Sequence, residues 1–133
     1  MNKIFKLLLV IFVVLGAVSA YFLLTQEKYI DKKTAIEQAQ LSCMEVHSQP
    51  QEEPYNIEAK LIKCADVVAQ TGWNGCSIDG YHSSDSMVWF VSMDGLWFHW
   101  GPPAEDGTNA PIAMTKCQVL IDAKSGHMFA LRS

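Results

Sequence analysis

An uncharged apolar segment near the N-terminus constrains the possible fold most strongly. Residues 7–24 form eighteen consecutive positions without a charged side chain, and a helix needs roughly 17–25 such residues to cross a bilayer. Lys3 and Lys6 precede the segment, which favours a cytoplasmic N-terminus. The sequence therefore predicts a signal-anchor or transmembrane helix in residues 1–25, with membrane contact through residues 4–24.

A cleaved signal peptide is the alternative interpretation of this segment. Residues 18–20 (Val-Ser-Ala) resemble a small-residue cleavage site, and cleavage there would leave Tyr21 as the first residue. The apolar run continues past that point, which favours a retained, single-pass anchor with an extracytoplasmic C-terminal part. The polar residues 26–33 are predicted to form a stem, and residues 34–133 a single domain.

The part of the chain after the apolar segment is acidic. Residues 27–133 carry 8 Lys and Arg against 14 Asp and Glu, so the formal charge is 8 − 14 = −6. An acidic surface is poorly suited to bind the phosphates of nucleic acids. We therefore expect no nucleic-acid partner.

Four cysteines, all after the apolar segment, restrict the possible cross-links and metal sites of the domain: Cys43, Cys64, Cys76 and Cys117. In an exported domain an even number of cysteines is compatible with two disulfides, for which three connectivities exist. Four partly buried free thiols are the alternative, since free cysteine packs as a small apolar residue. The spacing contains no Cys-x-x-Cys pair, which disfavours a zinc site.

The periodicity of apolar residues predicts an α+β domain. Thr34 and Glu37 have the spacing of a capping box and predict a helix to about residue 47, with a core-facing set made of Ile36, Ala39, Cys43 and Val46. A strand is predicted over 57–63, followed by a short helix over 64–72. Two more strands, 87–93 and 96–100, would be joined by an Asp94-Gly95 turn.

The last predicted element is a β-hairpin within residues 115–132. Its first strand places Cys117, Val119 and Ile121 on one face. Asp122 is expected to bond to the turn backbone, and Gly126 to adopt a positive φ. The predicted architecture is thus an antiparallel sheet of four to five strands with one main helix packed on one face. If that helix covers the Cys117 face, Cys117 would pair with Cys43.

Three segments carry a resemblance to a known family. They are residues 88–92 (Val-Trp-Phe-Val-Ser), the closing hairpin 119–126 (Val-Leu-Ile-Asp-Ala-Lys-Ser-Gly), and the strand and helix of residues 59–72. Together, over roughly residues 34–132, they resemble the PepSY-like family of small extracytoplasmic bacterial domains. The resemblance implies a non-enzymatic module on the outer side of a bacterial membrane that inhibits or regulates peptidases or locally controls cell-envelope proteins, and it supplies no catalytic residues.

Aromatic residues form the candidate binding site. Alternation along residues 96–100 separates Trp97 and His99 from the core-facing set, so both would be exposed or covered by a loop. Exposed tryptophan next to the Pro-rich residues 101–111 would be typical of a binding patch. The alternative is that Trp97 and Trp73 pack against each other or under that loop.

The sequence contains no recognisable catalytic or metal motif. The serines near His82 and Asp85 lack the spacing of a nucleophile site, and the four histidines show no metal-ligand spacing. We therefore predict a non-enzymatic binding or regulatory module without a cofactor, whose partner is a protein or peptide of the cell envelope. The alternatives are a copper- or zinc-binding envelope protein, using His99 and Met93, and a structural accessory subunit.

Overall fold

The computed structural model describes residues 3–25, 28–46, 52–77, 82–100 and 110–133, with side chains of the first helix described over residues 8–23. Three helices, a short 3-10 turn and four strands follow in chain order: α1 (Lys3–Thr25), α2 (Lys32–Val46), β1 (Tyr55–Lys63), α3 (Cys64–Thr71), the 3-10 turn (Gly75–Ser77), β2 (Met87–Trp100), β3 (Pro111–Asp122) and β4 (Met128–Arg132).

The four strands form one antiparallel sheet in the order β1-β2-β3-β4. Each strand pairs with its neighbour in sequence, which keeps the connections local. The predicted α+β class and antiparallel sheet are confirmed. The predicted short helix is also present as α3, and Gly72 ends it in the left-handed conformation at φ 67°.

The predicted turn at Asp94-Gly95 is wrong, because β2 continues through it as one strand of 14 residues. Between Asp94 and Trp97 the strand advances three residues, while its partner advances two, from Lys116 to Met114. The extra residue is a β-bulge. A Cβ on Gly95 would lie 2.7 Å from the Trp97 ring, so glycine is needed here for close packing and not for a hairpin turn.

Helix α2 packs on one face of the sheet. Ala35 and Ala39 are fully buried, and their small side chains let the helix approach the strands closely. The strands contribute a continuous apolar layer made of Trp89, Val91, Met93, Trp97, Val119 and Ile121. Val46, predicted to face this core, is 43% exposed because it is the final residue of the helix and extends past the packed turns.

A disulfide between Cys43 and Cys117 joins α2 to β3, with a Cα–Cα distance of 6.4 Å. The predicted pairing is confirmed. The bond closes a separation of 74 residues, for which the loss of chain entropy in the unfolded state contributes about 4–5 kcal/mol of stability. The disulfide is therefore a principal constraint on how the helix sits on the sheet.

The opposite face of the sheet is covered at one end by α3 and the 3-10 turn. A second disulfide, Cys64–Cys76, connects these two elements. The apolar cluster beneath them consists of Ile62, Val67, Trp73, Val88, Phe90 and Leu120. The sheet therefore has a buried layer on both faces, where the sequence predicted one main helix on one face.

The residues before α2 contact the domain, although residues 26–33 were predicted to be a stem. Ile30 donates its N–H to the Ala123 carbonyl at 2.8 Å, and its own carbonyl accepts the Trp89 indole N–H at 3.0 Å.

Asp31, and not Thr34, caps the helix: its carboxylate accepts the Thr34 N–H at 2.7 Å. The hydrogen bonds from Thr34 lower the pKa of Asp31.

Helix α1 presents apolar side chains on all sides. Every described side chain of this helix, over residues 8–23, is exposed. Among the residues that the structure describes, no helix is both long and apolar enough to span a bilayer. The membrane crossing predicted for residues 4–24 is thus not supported by the structure and stays a prediction.

Candidate functional site

The predicted binding residues do not form one surface patch. Trp97 is only 1% exposed and lies in the core under α2, whereas Trp73 belongs to the cluster on the other sheet face. His99 is exposed. Trp97 was predicted to point away from the helix; alternation separates the two faces of a strand but does not tell which face the helix covers. Nor do Trp73 and Trp97 pack together, since they occupy different faces.

The closing turn uses most of the hydrogen-bonding capacity of Asp122. Its Oδ1 accepts the N–H groups of Lys124 and Ser125 and the Ser125 hydroxyl, at 2.7–3.1 Å. Gly126 has φ 75°, so both predictions for this turn are confirmed. Oδ2 lies 3.2 Å from Nε2 of His82, which stacks on Phe129 at 4.0 Å between ring centroids. Asp122 therefore joins the segment around His82 to the hairpin.

Burial and hydrogen bonding act in opposite directions on the pKa of Asp122. Burial by itself would raise it, but hydrogen bonds from Ser125, His82 and Lys124 together lower it below its usual value. The carboxylate is thus held ionised by the turn it stabilises. We call this set of hydrogen bonds, by which Asp122 links the turn to His82, the Asp122 clamp.

Among the described residues, part of β3 has a neighbouring strand on one side only. β3 has 12 residues and β4 only 5. β4 pairs with Gln118, Val119, Leu120 and Ile121 of β3. Residues 111–116 have β2 on one side and no strand of the described chain on the other. We call residues 111–116 the β3 edge.

The β3 edge is apolar and accessible. Ile112 is 55% exposed, Ala113 and Thr115 are also exposed, and Met114 is half-buried. Lys116 is the charged residue of this edge; its Nζ lies 3.7 Å from Oδ1 of Asp94 on β2, and its side chain is about half exposed. Exposed edges with apolar side chains are places where another chain can add a strand.

The other long edge of the sheet, along β1, has a different chemistry. Glu58, Lys60 and Lys63 are exposed there, with Lys60 3.4 Å from Glu58 and Lys63 3.7 Å from Asp85. Charged side chains on an edge strand oppose pairing with another chain. The β3 edge has one charged residue, Lys116, where β1 has three, and the β3 edge is the better candidate for a binding site.

Metal binding finds no support among the residues that the structure describes. No three His, Cys, Asp or Glu side chains in these residues are grouped to hold an ion. All four cysteines are in disulfides. Met93 is fully buried under α2, whereas His99 is exposed, and His47 lies outside the described residues.

Sequence reasoning did not identify the β3 edge. It assigned residues 101–111 to a loop and started the next strand near Thr115; most of that loop, residues 101–109, lies outside the described residues. The usable signal was residues 112–115 (Ile-Ala-Met-Thr), which contain no turn residue.

No known protein family, characterised protein or solved structure matches this chain.

Replacing Asp122 with Asn tests the clamp. Asp122→Asn retains one oxygen for the turn but removes the charge and places an amide opposite His82, so we expect the free energy of unfolding near pH 7 to fall by about 1–2 kcal/mol. Because the folded pKa is lowered, the stabilisation by the carboxylate is present above the unfolded pKa of about 3.9 and is lost as the pH falls through the folded pKa. Urea unfolding of both proteins near pH 7 and near pH 2.5 should show the difference shrinking in acid. An equal difference at both pH values would contradict this role.

Proposed function

We propose that this chain is a non-enzymatic binding module of the bacterial cell envelope, similar to PepSY-like domains, that captures an extended segment of a partner protein. The observation that carries the proposal is the β3 edge, a row of backbone groups next to exposed apolar side chains. Strand addition at such an edge obtains affinity from main-chain hydrogen bonds and specificity from alternate side chains. No chemical step on the partner is needed for this role.

The pairing of β2 with β3 supports a proposal about the chemistry of the partner segment. Ile112 and Met114 lie opposite His99 and Trp97 on β2, so both side chains are on the face that α2 covers further along the sheet. A strand added beside residues 111–116 would place every second side chain next to them. We therefore expect a partner segment with aliphatic residues at alternate positions and few charges.

We further propose that α1 holds the module at the membrane with the domain on the extracytoplasmic side. The exposed apolar side chains of residues 8–23 support it, since an all-round apolar helix is unsuited to water. Ile30, which follows α1 in the chain, is hydrogen-bonded to Ala123, next to the Asp122 end of β3. At about 3.3 Å per residue, Pro111 lies roughly 36 Å along β3 from Asp122. The β3 edge would therefore extend away from the end of the domain at which Ile30 is bonded.

The resemblance to PepSY-like domains suggests which partner is captured. Such domains are associated with the inhibition or regulation of peptidases. A peptidase carries the extended substrate-binding or propeptide segments that strand addition can engage. We accordingly propose a membrane-associated peptidase as the partner, and regulation of its access to substrate as the effect.

Two matched substitutions test the choice of edge. Ile112 and Tyr55 are exposed to nearly the same extent, 55% and 54%, and both lie on edge strands. Because a charge on an edge opposes pairing, Ile112→Lys should reduce partner captured from intact membranes about tenfold, while Tyr55→Lys should change it less than about twofold. Quantitative mass spectrometry after crosslinking to the full-length chain gives the readout. Equal capture by both variants, with unchanged melting temperatures, would contradict the proposal.

Membrane attachment through α1 has its own test. We expect the full-length chain to stay with membranes during an alkaline carbonate wash. Val14→Arg should release a large share of it, because an arginine at the centre of a spanning helix costs about 2.5–3.5 kcal/mol. Release of the unmodified chain, with Tyr21 as its first residue, would show cleavage and refute a retained anchor.

A further inference from the structure

A lysine lies where the open part of β3 meets the part that β4 pairs. Cys117 points to α2, where it forms the disulfide, so its neighbour Lys116 lies on the opposite face of the sheet. On that face Lys116 lines an open groove of about 540 Å³ together with Asp94, Ser92 and Gln118. The surroundings of Lys116 therefore bear on which side chain an added strand can place next to it.

Lys116 is the cationic half of a loose ion pair. Its Nζ lies 3.7 Å from Oδ1 of Asp94, which is an electrostatic contact but longer than a hydrogen bond. The other carboxylate oxygen of Asp94, Oδ2, accepts an N–H of the Asn56 amide at 3.0 Å. Asp94 thus has two partners, whereas this ion pair engages none of the three N–H donors of the lysine ammonium. Because the Lys116 side chain is 55% exposed, an acid arriving at the β3 edge has access to its ammonium.

A second cation, Arg132, lies at the end of β4 on the same face. Arg132 is opposite Gln118 in the register of β4 with β3. Its Nε donates to Oε1 of Gln118 at 2.8 Å, its Nη2 donates to the same oxygen, and its guanidinium lies 5.2 Å from the centroid of the Trp73 ring. Gln118 engages two of the five N–H groups of the guanidinium. These contacts hold Arg132 in place beside the β3 edge.

A strand added at the β3 edge would bring one side chain next to both cations. The pairing of β4 with β3 ends at Arg132, and the added strand would continue the line of β4 beyond it. The added residue opposite Lys116 then lies two positions from Arg132, roughly 7 Å along the strand and on the same face. Opposite charges on neighbouring strands strengthen pairing by roughly 1.5- to 5-fold. This position therefore favours a carboxylate and disfavours a cation.

We propose that the partner segment carries an aspartate or glutamate opposite Lys116, and that Lys116 and Arg132 select this residue. The acidic residue follows the aliphatic positions opposite Ile112 and Met114 at the same two-residue spacing. Charge then alternates across the strands, from Asp94 to Lys116 to the partner carboxylate. This inference rests on the proposed strand addition at the β3 edge, and it adds one charge of defined sign and position to an otherwise aliphatic segment.

A lysine on an edge strand can instead serve to prevent pairing with other chains, and the two roles predict opposite effects of removing the charge. A lysine that only opposes pairing weakens every added strand, so Lys116→Gln would raise the affinity for uncharged and acidic segments alike. Under our assignment Lys116→Gln lowers the affinity for an acidic segment about threefold and changes that for an uncharged segment less than about twofold. A higher affinity of Lys116→Gln for both segments would overturn the proposal.

The experiment titrates the full-length chain, 15N-labelled and held in lipid nanodiscs, with three acetylated and amidated heptapeptides. The peptides alternate threonine with a variable residue and then two valines, so that antiparallel addition brings the variable residue opposite Lys116. The variable residue is glutamate, glutamine or lysine, and the amide resonances of residues 112–116 report binding. The glutamate peptide should bind about threefold more tightly than the glutamine peptide, and the lysine peptide most weakly. Equal affinities of the three peptides would overturn the proposal.

A charge reversal with a matched control supplies a second measurement. The side chains of Lys116 and Lys60 are 55% and 56% exposed, and their Nζ atoms lie 3.7 Å from Asp94 and 3.4 Å from Glu58. Lys116→Glu and Lys60→Glu therefore each place a carboxylate beside an existing acid. Lys116→Glu should reverse the order of affinities, so that the lysine peptide binds most tightly, whereas Lys60→Glu on β1 should leave the order unchanged. An unreversed order in folded Lys116→Glu would contradict the assignment; if that variant does not fold, Lys116→Gln decides the question.

Failure of the acidic position and failure of the β3 edge give different results. Ile112→Lys should weaken the binding of all three peptides, because it places a charge on the edge itself. Peptides that bind without charge preference, and whose binding is lost in Ile112→Lys, would retain the β3 edge and refute the acidic position. Peptides that leave the amide resonances of residues 112–116 unshifted would refute the β3 edge and the acidic position together.

Discussion

The disulfide between Cys43 and Cys117 is the constraint on which the rest of the domain depends. It fixes α2 against β3 at the point where β4 stops pairing with β3. On one side of that point β3 is enclosed between β2 and β4. On the other side it continues with one partner strand among the described residues. The bond thus separates a closed half of the sheet from a half with an open edge.

This division gives the sheet two structurally different ends. At the closed end, Ile30 and the Asp122 turn join the residues after α1 to the hairpin. At the open end, the β3 edge presents backbone and apolar side chains. The end that leads to α1 is therefore the more tightly bonded one, and the proposed binding surface lies at the opposite end of the same strand. In the proposed role, this separation would keep the attached end of the domain apart from the surface that captures a partner.

Local sequence signals predicted the features that depend on neighbours in the chain. Asp122, Gly126 and Gly72 adopt the predicted turn and cap geometries, because the conformation of each is set within a few residues. These predictions needed no knowledge of the complete fold. The pairing of Cys43 with Cys117 is different: it was predicted only on the condition that the helix covers the Cys117 face, which periodicity alone does not establish.

The predictions that were wrong concern features that depend on tertiary context. Asp94-Gly95 has the composition of a hairpin turn, but the partner strand β3 extends past it and the Trp97 ring packs on Gly95. Which face of β2 the helix covers, and hence the burial of Trp97, is decided by packing and not by alternation. The β3 edge was missed for a related reason: a strand edge is defined by where its neighbour ends.

Hydrogen–deuterium exchange on the captured complex tests the central claim most directly. With partner bound, the amides of residues 112–116 should exchange more slowly, because strand addition pairs those that face outward. The amides of β1, residues 55–63, should keep their exchange rates. Protection confined to β1, or no protection along residues 112–116 in a complex that stays intact, would contradict the account.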